Sequence, residues 1–311
     1  MSSRSDDNAC SRMRTIPDEI VYRDLYDGVR KMNVVLPPDV LTALAAARES
    51  DRAMGDTTGS TMGGATRGPT GGAACFVLDA IIENAEIARA ESLPMCQDTG
   101  LVVVFVEHGH DVRVAGEPLD TVIRRAIGDA YRDGKFRASV VDDPLNGRKN
   151  TGTNLPPVIY YDAVPGAGLT VSCLSKGFGS ENYSRTFMLK PTQNKDAVID
   201  AVLETMKAAG GNCCPPVILG VGIGGTMDWA AKISKKALLR DLGDRHPDPF
   251  YRDLEAEILG AVNALGIGAG GLGGRNTALG VFIETYPTHI AGLPVAVSVN
   301  CWAERKAVLK W

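Results

Sequence analysis

Val217-Ile-Leu-Gly-Val-Gly-Ile-Gly-Gly-Thr-Met-Asp-Trp-Ala-Ala-Lys-Ile-Ser-Lys-Lys-Ala-Leu-Leu239 is the stretch that decides the fold class. Val217–Val221 is a short apolar run rich in β-branched residues and reads as a buried strand. Met227–Leu239 carries apolar residues at helical spacing. A strand feeding a helix through a glycine turn is a building block of α/β proteins. Gly220, Gly222 and Gly225 also match G-x-G-x-x-G, the spacing of a dinucleotide-binding turn, and Asp241 follows sixteen residues later. That reading would make the chain an NAD-binding oxidoreductase. Three features oppose it: the motif lies far into the chain, Cys-Pro-Pro leads straight into its strand, and strand–helix alternation after it is poor. A tight strand-to-helix turn accounts for the same glycines. Gly266, Gly268 and Gly271 repeat the spacing, and no Gly-Lys-Ser/Thr follows any glycine run, so a P-loop is absent.

Working outward, helices are expected at Tyr22–Lys31, Val40–Arg52, Ala74–Glu91, Thr121–Arg132, Asp196–Ala209 and Leu254–Leu265. Strands are expected at Leu101–Val106, Val158–Tyr161, Leu169–Leu174, Leu279–Glu284 and Leu293–Val299. Residues 142–157 and 175–182 read as loops. Residues 1–17 read as a polar tail, and Gly55–Gly72, rich in Gly, Thr and Ser, as a long mobile loop. The remainder, 18–311, is expected to form the folded body. The class is α/β (mixed α+β), helix-rich around a small, mostly parallel sheet.

The 311 residues include 33 basic and 37 acidic side chains, a net charge of −4. That balance opposes nucleic-acid or anionic-membrane binding. No apolar run approaches the ~18–20 residues of a membrane helix. The first ten residues are polar and acidic, unlike a secretory signal, so the cytoplasm is the expected compartment. Seven cysteines, without CxxC or zinc-finger spacing, do not suggest a disulfide framework. Three of them, Cys96, Cys214 and Cys301, sit where a Gly- or Pro-rich loop meets a strand, the position from which scaffolds present ligands. Their separations of 118 and 87 residues match no compact iron–sulfur motif, and on spacing alone buried free cysteines explain them better than a cluster does. Cys10, Cys75 and Cys173 read as a tail, a helix and a strand residue.

At Cys96-Gln97-Asp98-Thr99-Gly100 the sequence resembles class I fumarate hydratase and, more broadly, the iron–sulfur hydro-lyases that include L(+)-tartrate dehydratase. The resemblance continues in order through Arg137-Ala-Ser139, Arg148-Lys-Asn-Thr-Gly-Thr-Asn154 and Lys176-Gly-Phe-Gly-Ser-Glu-Asn182. It resumes at Cys214-Pro-Pro216, Gly222-Ile-Gly-Gly225, Arg245-His-Pro-Asp-Pro249, Gly270-Gly-Leu-Gly-Gly274 and His289 to Cys301. The glycine runs are then family motifs, which displaces the oxidoreductase reading.

The resemblance implies a [4Fe–4S] cluster held by Cys96, Cys214 and Cys301 at strand ends, with one iron not ligated by cysteine. It implies substrate contacts at Gln97, Arg137, Gly179 and Lys176, and acid/base roles for Asp98 and His289. Without it, Asp98 would be a turn cap, Arg137 and Lys176 solvated charges, and His289 a structural histidine. The activity implied is reversible hydration of fumarate to malate. L(+)-tartrate dehydration to oxaloacetate and mesaconate hydration are the same-class alternatives, and a non-catalytic cluster protein is another. The Lys176–Asn182 loop has the more fumarase-like form. Thr153 departs from the Asp that fumarases often carry there. The chain stops ten residues after Cys301 and so resembles the α chain of a two-subunit enzyme. The expected partner is a β subunit that completes the active site, in an α2β2 assembly.

Overall fold

The computed structural model describes residues 13–57 and 72–311. In chain order the elements are β1 (Arg14–Pro17), α1 (Asp18–Val34), α2 (Pro38–Thr57), α3 (Gly72–Glu91), β2 (Leu101–Gly109), β3 (Val112–Ala115), α4 (Leu119–Asp133), β4 (Val158–Val164) and β5 (Leu169–Lys176). They continue with α5 (Phe178–Glu181), β6 (Arg185–Leu189), α6 (Lys195–Ala209), β7 (Val217–Gly224), α7 (Met227–Ala237), α8 (Pro249–Asn263), β8 (Ala278–Tyr286), β9 (Leu293–Asn300) and β10 (Lys306–Lys310). The expected mixed class is present, spread over two four-stranded sheets and one strand pair. No described helix is long and apolar enough to cross a membrane.

The chain divides into two compact units. The first comprises residues up to Arg30, Val102–Cys173 and Ala307–Trp311. It contains the sheet β10-β5-β2-β4 and the parallel pair β1–β3. Val102–Val106 of β2 are almost wholly buried, which is why that run is continuously apolar rather than alternating. On α4, Val122, Ile123, Ala126, Ile127 and Ala130 form the buried stripe.

The second unit comprises Lys31–Leu101 and Leu174–Lys306. Its sheet runs β6-β9-β7-β8, with β7–β8 parallel and both β6–β9 and β7–β9 antiparallel. One face of β7 and β9 joins the apolar cluster of Val217, Leu219, Val221, Val297 and Val299 with α6 and α8. Ile218, on the other face, joins a cluster with α2, α3, Met95 and Cys301. Gly220 and Gly222 lie within β7, not in a turn. A Cβ on either would come within 2.0 Å of a backbone carbonyl of α7, at Ser234 and Ala230 respectively. These glycines let a helix pack directly on the strand, and that is the physical reason for the G-x-G-x-x-G spacing.

Several elements differ from expectation. Arg14–Pro17, placed in the polar tail, pairs with β3 through Arg14↔Val112 to Pro17↔Ala115. The helix α2 runs to Thr57 and α3 starts at Gly72, so both ends of the Gly55–Gly72 segment are helical; residues 58–71 lie outside the described residues. The segment 175–182 contains the helical turn α5. Helix α8 starts five residues early because Asp248 caps it, accepting from the Phe250 amide at 2.8 Å, and Pro249 fits its first turn.

Candidate functional site

The second unit carries Cys96, Gln97, Asp98, Lys176, Gly179, Cys214, His289 and Cys301; Arg137 belongs to the first. Cys96 follows Met95, which is pinned on both sides. The Met95 amide donates to Asn33 O at 3.0 Å, and Asn84 Nδ2 donates to Met95 O at 2.8 Å. Cys214 occupies the left-handed region (φ 54, ψ 62) between a 3-10 turn, Gly210–Cys213, and Pro215–Pro216. That turn is buttressed by the second glycine loop: the Gly270 amide donates to Pro215 O at 2.9 Å, and a Cβ on Gly271 would lie 2.5 Å from Gly211 Cα. Only glycine permits so close an approach of two backbones.

The adjacent cysteines at 213 and 214 have opposite environments. Cys213 is fully buried in the apolar cluster, with its thiol 3.4 Å from Gly210 O, and burial pushes it up to about 12. Cys214 is exposed. Its thiol is also raised, first by partial burial and then by the negative potential of Cys301 and Cys96. Cys301 and Cys96 are therefore both within electrostatic reach of Cys214, and Cys96 packs against the apolar cluster that contains Cys301. Cys75 and Cys173 are buried elsewhere, and burial holds Cys173 at about 12. Among the described residues, no three His, Cys, Asp or Glu side chains lie close enough to hold a single metal ion. A cluster places its own metals and sulfides between the thiolates and so requires them further apart. Three converging thiols on loops, one of them solvent-accessible, are a donor set that fits an iron–sulfur cluster with an open corner.

Asp98 links this loop to its neighbours. Its Oδ1 accepts from the Gly100 amide at 2.9 Å, its Oδ2 accepts from the Phe178 amide at 2.7 Å, and its carbonyl accepts from Arg305 Nη1. The turn-cap role is thus real, and the carboxylate also caps the first turn of α5. Gly100 packs so closely on the Lys176 backbone that a Cβ there would lie 2.7 Å from its carbonyl carbon. Gln97 is exposed beside this turn and Gly179 is exposed in α5.

Lys176 is not a solvated loop charge. It is 1% exposed, with Nζ 2.6 Å from Ser180 Oγ, 3.0 Å from Gly177 O and 3.6 Å from Glu181. Burial lowers its ammonium to about 8, against the opposing pull of Glu181 and Cys301. Glu181 also pairs with Lys235. Arg305 is the largest fully buried side chain among the described residues. Arg305, Ser180 and Glu181 were not singled out in the sequence. Ser180 and Glu181 stood inside a quoted motif, whereas Arg305 follows the last cysteine with nothing to mark it as buried.

His289 stands apart. It lies in the exposed turn between β8 and β9, where Nδ1 accepts from the Ala291 amide at 3.1 Å, leaving Nε2 as the protonated nitrogen of the neutral ring. Because β8 is parallel to β7, its end meets Gly224, while Cys214 and Cys301 flank the opposite end of β7 and β9. The eight residues of β7 put roughly 23 Å between those ends. Within one chain His289 and the cysteines are at opposite ends of the sheet.

In the first unit, Arg137-Ala-Ser139 and Arg148–Asn154 are one assembly. Asn154 Oδ1 accepts from the Ser139 amide at 2.8 Å, Asn150 Nδ2 donates to Ala138 O at 2.8 Å, and Val141 bridges Asn150. Arg137 is exposed on it, and so is the departing residue Thr153.

The model of the family described as fumarate hydratase (Fumerase) matches residues 23–310. A Methanocaldococcus jannaschii protein, provisionally named an L(+)-tartrate dehydratase subunit alpha, is 44% identical over 237 residues, covering 74% of this chain and 82% of its own. The L(+)-tartrate dehydratase subunit alpha of Escherichia coli strain UTI89 is 35% identical over 238 residues, covering 76% and 78%. That of Escherichia coli K12 is 34% identical over 237 residues, covering 75% and 78%.

Proposed function

The chain belongs to the fumarate hydratase (Fumerase) family and is a hydro-lyase, and from that premise we propose that it is the cluster-bearing α subunit of an iron–sulfur enzyme acting on a four-carbon dicarboxylate. The observation that carries this reading is the convergence of Cys96, Cys214 and Cys301, with Cys213 turned into the core. Bound there, a [4Fe–4S] cluster with one iron free of cysteine supplies a Lewis acid for the substrate carboxylate and hydroxyl.

This chain's residues supply the rest of its half of the site. Asp98 is the acid/base carboxylate, held in one orientation by two backbone amides. Lys176, buried and with a lowered ammonium, is the cation on the same wall and stabilises negative charge developing beside a carboxylate. Gln97 and the Gly179 backbone orient substrate. Arg137 supplies bidentate carboxylate recognition, and His289, at the far end of the sheet from its own chain's cysteines, offers its Nε2 proton to the site of the second α chain. Removing a proton next to a carboxylate leaves carbanion-like charge, so cations and N–H donors are what the reaction requires.

The names of the relatives carry the subunit reading. A β subunit completes the site, in an α2β2 complex. The described cysteines are unpaired, which suits a reducing cytoplasm. Fumarate is the first substrate, from the form of the Lys176–Asn182 loop; L(+)-tartrate is the second, favoured by the names of the relatives. Mesaconate differs from fumarate by one methyl, worth ~1–3 kcal/mol of discrimination. Steady-state rates of the complete complex on fumarate, malate, L-tartrate and mesaconate test the reading. Highest kcat/KM on fumarate and malate supports it. A preference for tartrate replaces the first substrate with the second, and no turnover of any dicarboxylate by a cluster-loaded complex contradicts the enzyme reading.

A further inference from the structure

Asn300 is the last residue of β9, immediately before Cys301, and is 1% exposed. Neither Nδ2 nor Oδ1 of its amide has a hydrogen-bond partner among the described residues. A buried amide left unpaired costs about 1–3 kcal/mol, so such a group calls for an explanation. Its place on the sheet is fixed by register. Asn300 is directly opposite Ile218, and opposed residues of an antiparallel pair share a face. That face is the one whose apolar cluster contains Cys301, with Cys96 packed against it; Val299 and Leu219, one step away, face the other cluster. Asn300 thus places an unpaired amide on the face where the other polar side chain of β9, Ser298, is satisfied by Ser234, next to one thiol in sequence and in the layer that holds two.

A second buried donor lies four residues beyond Cys301. Arg305 Nε has no partner among the described residues, while its Nη1 donates to Asp98 O. Asn300 Nδ2 and Arg305 Nε are unsatisfied buried donors on either side of one cysteine; the Glu304 carboxylate between them also lacks a hydrogen bond but pairs with Lys306. Donors left so point to an acceptor-rich neighbour. An iron–sulfur cluster with thiolate ligands is one, and its sulfurs accept hydrogen bonds.

We propose that Asn300 is a positioning residue for the cofactor: its side-chain N–H donates to a sulfur at the Cys301 corner of the cluster, stabilising the reduced charge and slowing loss of the open-corner iron. This rests on the proposed cluster reading. The role is distinct from that of the three cysteines, because Asn300 contributes no bond to iron.

The test uses the complex with its partner subunit, purified anaerobically, as wild type, Asn300→Leu and Asn300→Ala. Thermal unfolding, iron and sulfide content, midpoint potential and the rate of iron loss to air are measured on each. Leu matches the shape of Asn without its polar atoms, so a purely structural orphan amide would leave the fold as stable or more stable and the cluster unchanged. The proposal predicts a folded variant whose potential is more negative and whose iron loss is about tenfold faster. Asn300→Ala, which also removes the donor, gives the same shift and supplies the answer should the Leu variant not fold. Unchanged potential and iron loss in a folded variant overturn the role of Asn300 while leaving the cluster reading intact. A wild-type complex without iron or sulfide overturns the cluster reading, and the role of Asn300 with it.

Discussion

Asp98 Oδ2 accepts the backbone amide of Phe178 at 2.7 Å, across eighty residues of sequence. This bond ties the loop after Cys96 to the turn that contains Lys176 and Gly179, while Oδ1 closes the local turn at Gly100. One carboxylate therefore sets the geometry of two motif loops, and the acid/base role proposed for it is separable from that one.

Replacing it separates the two roles. Asp98→Asn keeps one accepting oxygen but sets an NH2 against the other backbone amide, so the fold loses about 1–3 kcal/mol, the cost of an unsatisfied donor. Loss of an acid/base group lowers kcat by about 10²–10⁴. Iron content should be retained. A variant with near-normal kcat would leave Asp98 with the capping role alone.

The two adjacent cysteines should behave oppositely. Cys213→Ala shortens a buried side chain and costs about 1 kcal/mol of stability, with iron and sulfide retained. Cys214→Ala leaves the apoprotein as stable as wild type but strips the cluster. Metal analysis of both variants checks this, and equal loss of iron in the two would contradict it.

The glycine loop is a support for Cys214. Gly271 has φ +75, and a Cβ there would meet Gly211 Cα at 2.5 Å. Gly271→Ala should destabilise the fold by more than about 1 kcal/mol, the cost of the left-handed region alone, and should also weaken cluster retention. Gly243→Ala, where a Cβ meets nothing within 4 Å, should do neither. Chemical unfolding with iron analysis distinguishes them.

Glu304 gives the fold a pH signature. Its carboxyl is buried and raised to about 7 by desolvation; Lys306, 3.4 Å away, opposes that only in part, and Asp39 reinforces it. The Lys306 ammonium is an ion pair at that distance without an aligned hydrogen bond, since both Glu304 oxygens lack one. A raised carboxyl binds its proton more tightly folded than unfolded. Its contribution is therefore fully present below the unfolded value of 4.5 and is lost as pH rises through about 7. The change is on the order of 3 kcal/mol. Glu304→Gln should flatten the fall in stability over that window and exceed wild type at pH 8, as read by urea unfolding. An unchanged pH slope would place the titration elsewhere.

The parts of the fold legible in the sequence were those with strong periodicity or continuous burial, such as α3 with Leu78, Ile81, Ala85 and Ala88, or the fully buried β7. The edge strand β6 escaped because Arg185 and Thr186 are exposed and only five residues pair. Strand β10, Lys306–Lys310, alternates too briefly to stand out. In the site, motif order located the loops but not the environments. Nothing in the spacing tells that Lys176 is buried, that Arg305 is the largest enclosed side chain, or that His289 lies at the far end of the sheet from Cys301. Those properties come from which face each strand buries and from the parallel run of β8, and neither is a local feature of the chain.

The most direct test of the central claim is the iron and acid-labile sulfide content of the anaerobically purified protein, with its electron paramagnetic resonance spectrum before and after brief air exposure. The account predicts close to four irons and four sulfides per chain, with a [3Fe–4S] signal appearing on oxidation as the iron without a cysteine ligand is lost. Protein expressed with its partner subunit, reconstituted anaerobically with iron and sulfide, and still holding neither would contradict it.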